Sequence, residues 1–183
     1  MPRRFGLQKS RTILNLLLVL GAALWVLCRP VQAEHGKVGR VIDGDTIELA
    51  DGRKVRYIGV DTPEVRRREG SQWVKDPEPF GLEASAFNQQ LVEGKSVRLE
   101  LDVQTHDRYG RLLAYVYVAG ADQKEIFVNA ELVKQGMAQP LTIPPDVKYA
   151  ALFRDLARQA REEKRGLWSE PKPGPKKRKD PKG

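Results

Sequence analysis

Cysteine is all but missing from this chain. The only one, Cys28, lies in an apolar leader, so nothing downstream can form a disulfide or a thiolate metal site. That absence is compatible with any redox compartment. Histidine is nearly as scarce. His35 and His106 stand far apart in sequence and isolated, which leaves a zinc centre or a histidine-driven nucleophile without support. Acid is missing at the two ends. Residues 1–33 carry five Arg or Lys and no Asp or Glu, and residues 171–183 carry six against one. Between them, residues 34–170 hold 21 basic and 23 acidic side chains. The formal charge of +8 therefore belongs to the ends. It does not by itself mark the folded part as a binder of nucleic acid. An anion site there must be a local cluster rather than a whole-surface field.

What is present suits one domain with extensions, in a chain of 183 residues. The stretch "MPRRFGLQKSR" is a basic flank, and residues 12–28, "TILNLLLVLGAALWVLC", form an apolar run that precedes "VQA" and Ala33. This is the pattern of a signal peptide cleaved near Ala33, or of a membrane anchor through residues 12–28 with its N-terminus inside. The expected location is outside the cytoplasm, secreted or periplasmic, or on the outer side of the cytoplasmic membrane. Residues 171–183, "PKPGPKKRKDPKG", have too little apolar surface to offset ordering entropy and read as a disordered basic tail. The domain is thus 34–170, with residues 1–33 and 171–183 as extensions.

Within it, "GKVGRVIDGDTIELADGRKVRYIGV" reads as strands with reversals at Asp43-Gly44 and Asp51-Gly52, where glycine accepts positive φ. Along Val55–Val60, alternation puts Val55, Tyr57 and Gly59 on one face and Arg56, Ile58 and Val60 on the other. "KSVRLELDV" and "RLLAYVYVAG" add a further pair, joined by "QTHDRYG". Three helices are expected, over "PFGLEASAFNQQLVEG", "EIFVNAELVKQG" and "DVKYAALFRDLARQAREEKRG", the last with Asp146 as N-cap, Gly166 as stop and Tyr149, Leu152, Phe153, Leu156 and Ala160 on one stripe. There is no internal repeat. The reading is α+β: a five-stranded, OB-type, mostly antiparallel β-barrel with three packed α-helices.

Acids collect at two turns, Asp45 in "DGDT" and Asp61 and Glu64 in "VDTPE". In an antiparallel hairpin the start of one strand lies beside the end of the next, so Asp45 and Asp61 should be neighbours. Two carboxylates, a carbonyl near Thr62 and waters make an oxygen-only set, suited to Ca²⁺ or Mg²⁺. Arg56 on its strand and Arg111 in "DRYGRLLAY" supply guanidinium forks that match phosphate oxygens. Cation and anion site together are the arrangement of phosphate-ester chemistry.

The blocks "VIDGDTIEL", "VRYIGVDTPE", "FGLEASAF", "HDRYGRLLAYVYV", "NAELVKQGMA" and "GLWSE" follow one another as in the staphylococcal (thermo)nuclease family, over about residues 37–170. The resemblance implies an OB-type barrel and a Ca²⁺-dependent phosphodiesterase that cuts DNA and RNA and leaves 3′-phosphates. It makes Asp45 and Asp61 metal ligands, with the Thr62 carbonyl as a third. It makes Glu64 the acid that activates or orients water, and Arg56 and Arg111 the clamp on the phosphate. Arg108 and Tyr109 match residues along the nucleotide's terminal phosphate and sugar, Arg108 standing where lysine is common. One segment departs from the pattern: "QGMAQPLTIPPDV" has Thr142 and Pro144 where tyrosines are placed against the base. The loop "VRRREGSQWVKDPEP" offers Arg66, Arg67, Arg68, Trp73 and Lys75 as further contacts to the strand. The competing expectation is a non-catalytic nucleic-acid or protein-binding module on the same fold. No obligate protein partner is evident.

Overall fold

The structure, a computed structural model, describes residues 33–69, 72–120, 122 and 124–169. The chain separates into Met1–Val31 and Gln32–Gly183, and the described residues all belong to the second unit. The expected leader and tail lie outside the described residues, except that Ala33 opens the first strand. Among the described residues no helix is long and apolar enough to cross a membrane.

The chain begins with a meander, β1 (Ala33–Asp43), β2 (Thr46–Leu49) and β3 (Lys54–Tyr57). A two-residue strand β4 (Val60–Asp61) follows, then a hairpin, β5 (Arg66–Glu69) and β6 (Gln72–Lys75), and helix α1 (Gly81–Val92). Strands β7 (Ser96–Glu100) and β8 (Leu112–Ala119) come next, then β9 (Glu125–Phe127) running into α2 (Val128–Lys134). A second two-residue strand, β10 (Gln139–Pro140), leads to α3 (Ala150–Glu162).

Strands β1, β2, β3, β8 and β7 close into a five-stranded barrel, as expected. Four of its pairings are antiparallel, and the one that closes the ring, β3 with β8, is parallel. The inward positions are apolar and fully buried, among them Ile47, Val55, Leu99, Val116 and Val118. At about 1.5–3 kcal/mol for each fully buried side chain of this kind, this core is the main favourable contribution to folding. An aromatic cluster fastens α3 to the outside: the Tyr115 and Tyr149 rings meet edge to face at 4.6 Å, and Tyr117 stacks on Phe127 at 4.6 Å.

Several expectations need correction. The strand expected over Val55–Val60 ends at Tyr57. Gly59 has φ +80°, and a Cβ there would lie 2.5 Å from the Phe153 ring, so the chain breaks where α3 packs on it. Alternation therefore fails beyond Tyr57, and Ile58 and Val60 are both buried. Gly52 takes the expected positive φ, but Gly44 does not. What Gly44 provides is room: a Cβ there would meet Thr62 Oγ1 at 2.6 Å. Residues 125–127, expected to begin a helix, form β9 instead, because Ile126 and Phe127 pair with Val118 and Tyr117.

The last helix starts at Ala150, and Asp146 does not cap it: its carboxylate accepts the Gln104 amide at 2.8 Å. That helix also stops at Glu162, ahead of Gly166. Leu152, expected on the buried stripe, is 41% exposed, and Ala157 is buried instead. The loop after Glu64 is not irregular throughout. It contains the β5–β6 hairpin, with Arg66 opposite Lys75 and Arg68 opposite Trp73 in register. The side chains of Arg67, Arg68, Trp73 and Lys75 lie outside what is described.

Candidate active site

The site is built where three segments meet. The turn between β1 and β2 presents Asp43 and Asp45. The backbone carbonyl of Asp45 accepts the Tyr57 amide at 2.9 Å, which ties the turn to the end of β3. From α1, the fully buried Asn88 braces the same turn: it accepts the Tyr57 hydroxyl at 3.0 Å and donates to the Asp43 carbonyl at 3.3 Å. The segment after Gly59 then passes close over Gly44 and delivers Asp61, Thr62 and Glu64.

Asp45 is 1% exposed, and the structure compensates its charge on both oxygens. Oδ1 accepts the Thr46 hydroxyl at 3.1 Å and pairs with the Arg56 guanidinium, while Oδ2 accepts the Thr62 amide at 3.0 Å. Arg56 stands opposite Thr46 in the β2–β3 ladder, which explains why it reaches this carboxylate. Its other terminal nitrogen binds Asp61 Oδ1 at 2.6 Å. One guanidinium thus holds together two carboxylates that are 16 positions apart in sequence. Of Thr62, expected to offer its carbonyl, the structure shows the amide engaged.

Glu64 is fixed by its backbone. Its amide donates to Glu78 Oε2 at 3.1 Å, and its carbonyl accepts the Glu78 amide at 2.9 Å. Its carboxyl is pushed up to about 7, first by burial, then by a hydrogen bond and charge from Asp43, with Asp61 adding to the rise and Arg56 opposing it. Asp43 was not among the residues singled out from the sequence. Its signal was there, two positions before Asp45 in the same turn, but the pair Asp43-Gly44 had a sufficient explanation as a turn.

Asp43, Asp45, Asp61 and Glu64 thus come from neighbouring segments at one corner, where burial and the Asp43 carboxylate raise Glu64. Among the described residues no three His, Cys, Asp or Glu side chains gather around one point. Asp45 and Asp61 are the two carboxylates brought together there, and both are engaged by Arg56. Their hard oxygen atoms suit a hard divalent cation, with carbonyl and solvent oxygens completing its shell.

Beside this corner opens a cavity of about 230 Å³, lined by Arg56, Asp107, Arg111, Leu113, Leu141 and Ile143 among others. Arg111 projects from the end of the β7–β8 loop. Its Nε donates to Asp107 Oδ2 at 2.6 Å and its amide to Oδ1 at 3.0 Å. Burial alone would raise the Asp107 carboxyl, but these bonds and the one from the Tyr109 amide outweigh it and hold it below the usual range. Asp107 is a second residue the sequence reading passed over, signalled only by its spacing of four before Arg111. Tyr109 is 67% exposed, with the Arg108 and Arg111 guanidiniums 4.7 and 5.5 Å from its ring centroid. Arg108 and Tyr109 are thus at the rim, outside the cavity lining. From the segment after β10 the cavity takes an aliphatic wall, Leu141 and Ile143, with Leu113 beside them.

The sequence is similar to those of known nucleases. The family model described as "Staphylococcal nuclease homologue" matches residues 54–170. A thermonuclease of Staphylococcus hyicus is 42% identical over 171 residues, covering 84% of this chain and 95% of that protein. A thermonuclease of Staphylococcus intermedius is 38% identical over 141 residues, covering 75% and 78% respectively. Endonuclease YncB of Bacillus subtilis is 39% identical over 135 residues, which is 71% of this chain and 59% of that protein. A closed barrel carrying paired acids at the β3 exit, and a sequence match across most of its length, place this chain in the staphylococcal nuclease family.

Proposed function

We propose that this nuclease is Ca²⁺-dependent, hydrolyses phosphodiester bonds of both DNA and RNA to leave 3′-phosphates, and acts outside the cytoplasm after export through its apolar leader. One observation carries the reading: Arg56 bridges two acids suited to a hard cation and lines the same cavity as Arg111. Asp45 and Asp61, with the Thr62 carbonyl, would hold the ion. Bound there, Ca²⁺ supplies charge compensation for the acids and polarises a phosphoryl oxygen.

The chain's own groups do the rest. Arg56 and Arg111 grip the phosphate from two sides and meet the charge that builds on its oxygens, a contribution of about 3–4 kcal/mol for one well-placed donor. Glu64, poised near neutrality, takes a proton from the attacking water. Arg108 and Tyr109 at the rim contact the flanking phosphate and sugar. Leu141 and Ile143 offer the base an aliphatic wall in place of a stacking partner, so base preference should be weak.

The test is digestion of single-stranded DNA and of RNA by the exported and cytoplasmic fractions of cells making the full chain, with Ca²⁺ or with chelator. Activity in the exported or membrane fraction that needs Ca²⁺ is expected, with 3′-phosphate ends on the products. Full activity in chelator, or activity restored by Zn²⁺ alone, would overturn the metal assignment. Activity confined to the cytoplasm would overturn export.

A further inference from the structure

Helix α3 has a polar face that the active site does not use. Phe153, Ala157 and Ala160 are buried, and the helix packs on α2 and β10. Arg154, Arg158 and Arg161, at spacings of four and three, fall together on an exposed stripe next to them. This stripe lines a groove whose opposite wall is Gln139 and Pro140, with Ala157 between. Those two residues are β10, and β10 pairs with β4: Gln139 stands opposite Asp61 and Pro140 opposite Val60. The wall of the arginine groove is therefore the strand paired with the acid corner. The same segment continues into Leu141 and Ile143, which line the cavity of Arg56 and Arg111. Residues 139–143 separate two arginine-bearing hollows.

The three guanidiniums are not committed to the fold. Among the described residues Arg154 has no ion pair or hydrogen bond to a partner. Arg158 pairs with Asp155 at 3.1 Å and Glu162 at 3.7 Å, but all three side chains are more than 60% exposed, and such pairs exchange readily. Arg161 lies over the Trp168 ring at 4.3 Å, which orients the guanidinium plane while leaving its donors free. Asp155 and Glu162 flank the stripe, so the basic field is confined to the groove itself. Seven steps of about 1.5 Å from Arg154 to Arg161 give the stripe a length of about 10 Å. A nucleic-acid strand in a duplex carries a charge about every 3.4 Å along the axis, so the stripe is long enough to meet more than one phosphate.

We propose that the groove of Arg154, Arg158 and Arg161 binds the phosphodiester backbone of the nucleic-acid substrate beyond the bond being cut. This rests on the nuclease reading and extends it: the enzyme recognises polymer as well as the scissile unit, and β10 lies between the two contacts. The test compares wild type with Arg154→Gln/Arg158→Gln/Arg161→Gln on a long single-stranded DNA and on a dinucleotide ester with a chromogenic leaving group, each at several salt concentrations.

For the long DNA, KM should rise about ten- to a hundredfold at low salt and the log–log salt slope should fall by about 2, since each phosphate contact on a single strand contributes about 0.7. Its kcat should hold, and kcat/KM on the dinucleotide should not change. The triple Arg→Lys variant, which keeps the charge, should restore most of the binding. Because Arg161 touches Trp168, Arg154→Gln/Arg158→Gln repeats the test with that contact intact.

Equal losses on long and short substrates, or an unchanged KM and salt slope on the long one, would overturn the proposal. So would loss of binding to vesicles containing an anionic lipid with DNA kinetics unaffected, which would assign the groove to a membrane surface. A wild type that cleaves neither substrate would remove the nuclease reading instead. The groove would then be judged by fluorescence anisotropy of labelled DNA, where equal affinity of wild type and triple variant overturns it.

Discussion

Arg56 and Arg111 face one cavity, but the chain holds them by opposite means. Arg56 lies within a barrel strand, and its partners arrive from two other segments: buried Asp45 from the turn before β2, and Asp61 from beyond the break at Gly59. Arg111 ends a loop and is held by Asp107, four residues earlier in that same loop. The first arginine is part of what brings the acid corner together. The second is positioned by a local device that could change without disturbing the barrel. Two groups of one chemical type, both facing a phosphate, should therefore fail in different ways.

The largest expected difference follows from burial. Arg56→Ala leaves Asp45, 1% exposed, without its counter-charge. Removing one partner of a buried ion pair costs about 3–5 kcal/mol. Arg111→Ala removes a more exposed, local pair and should cost about 1 kcal/mol or less. Both should lower kcat about 10²–10³-fold. Urea unfolding alongside turnover separates the two: only Arg56→Ala should lose stability as well as rate, and added Ca²⁺ should recover more stability in Arg56→Ala than in Arg111→Ala. Equal destabilisation of the two variants would erase the distinction.

A smaller effect sharpens the other side. Asp107→Asn keeps the shape of the loop acid but loosens its hold on Arg111. Misplacement of a clamping group by about an ångström can cost as much as a hundredfold, so kcat/KM should fall about ten- to a hundredfold with little change in unfolding midpoint. The double variant Asp107→Asn/Arg111→Ala should be no worse than Arg111→Ala alone, because the acid acts through the arginine. Additive losses would show that Asp107 has a role of its own.

The same contrast explains what could be read from sequence. Period-two alternation and the two Asp-Gly turns gave the barrel strands, because those signals are local. The nearness of Asp45 and Asp61 was legible too, from hairpin geometry, but the Arg56 guanidinium that joins them was not. What escaped were features decided by distant neighbours. Phe153 packing onto Gly59 breaks the strand before Asp61. Pairing with β8 turns residues 125–127 into strand although they run into a helix. Gln104 takes Asp146 away from the helix it would have capped. Asp43 and Asp107 escaped for a different reason. Each already had a local explanation as a turn or loop residue, and only the structure shows what else it touches.

The finest test concerns Glu64, whose carboxyl titrates at about 7 in the fold against 4.5 ordinarily. Below about pH 4.5 the group is protonated whether the chain is folded or not, and it does not affect the balance. Between there and about pH 7 the folded chain keeps a proton that the unfolded chain has released. Stability must then fall as pH rises through that window, and level off above it. Glu64→Gln is neutral at every pH, so this part of the slope should vanish and the variant should be the more stable protein above pH 7. Urea midpoints of both proteins across that range, in chelator, measure the difference. A cation held by Asp45 and Asp61 offsets the charges that raise Glu64, so adding Ca²⁺ at pH 7 should release protons from wild type. Calorimetry in buffers of different ionisation heat reads that release, and Glu64→Gln should show less of it. Identical slopes and identical release in the two proteins would mean that the proton at this corner sits elsewhere, and Asp43 would be the next group to substitute.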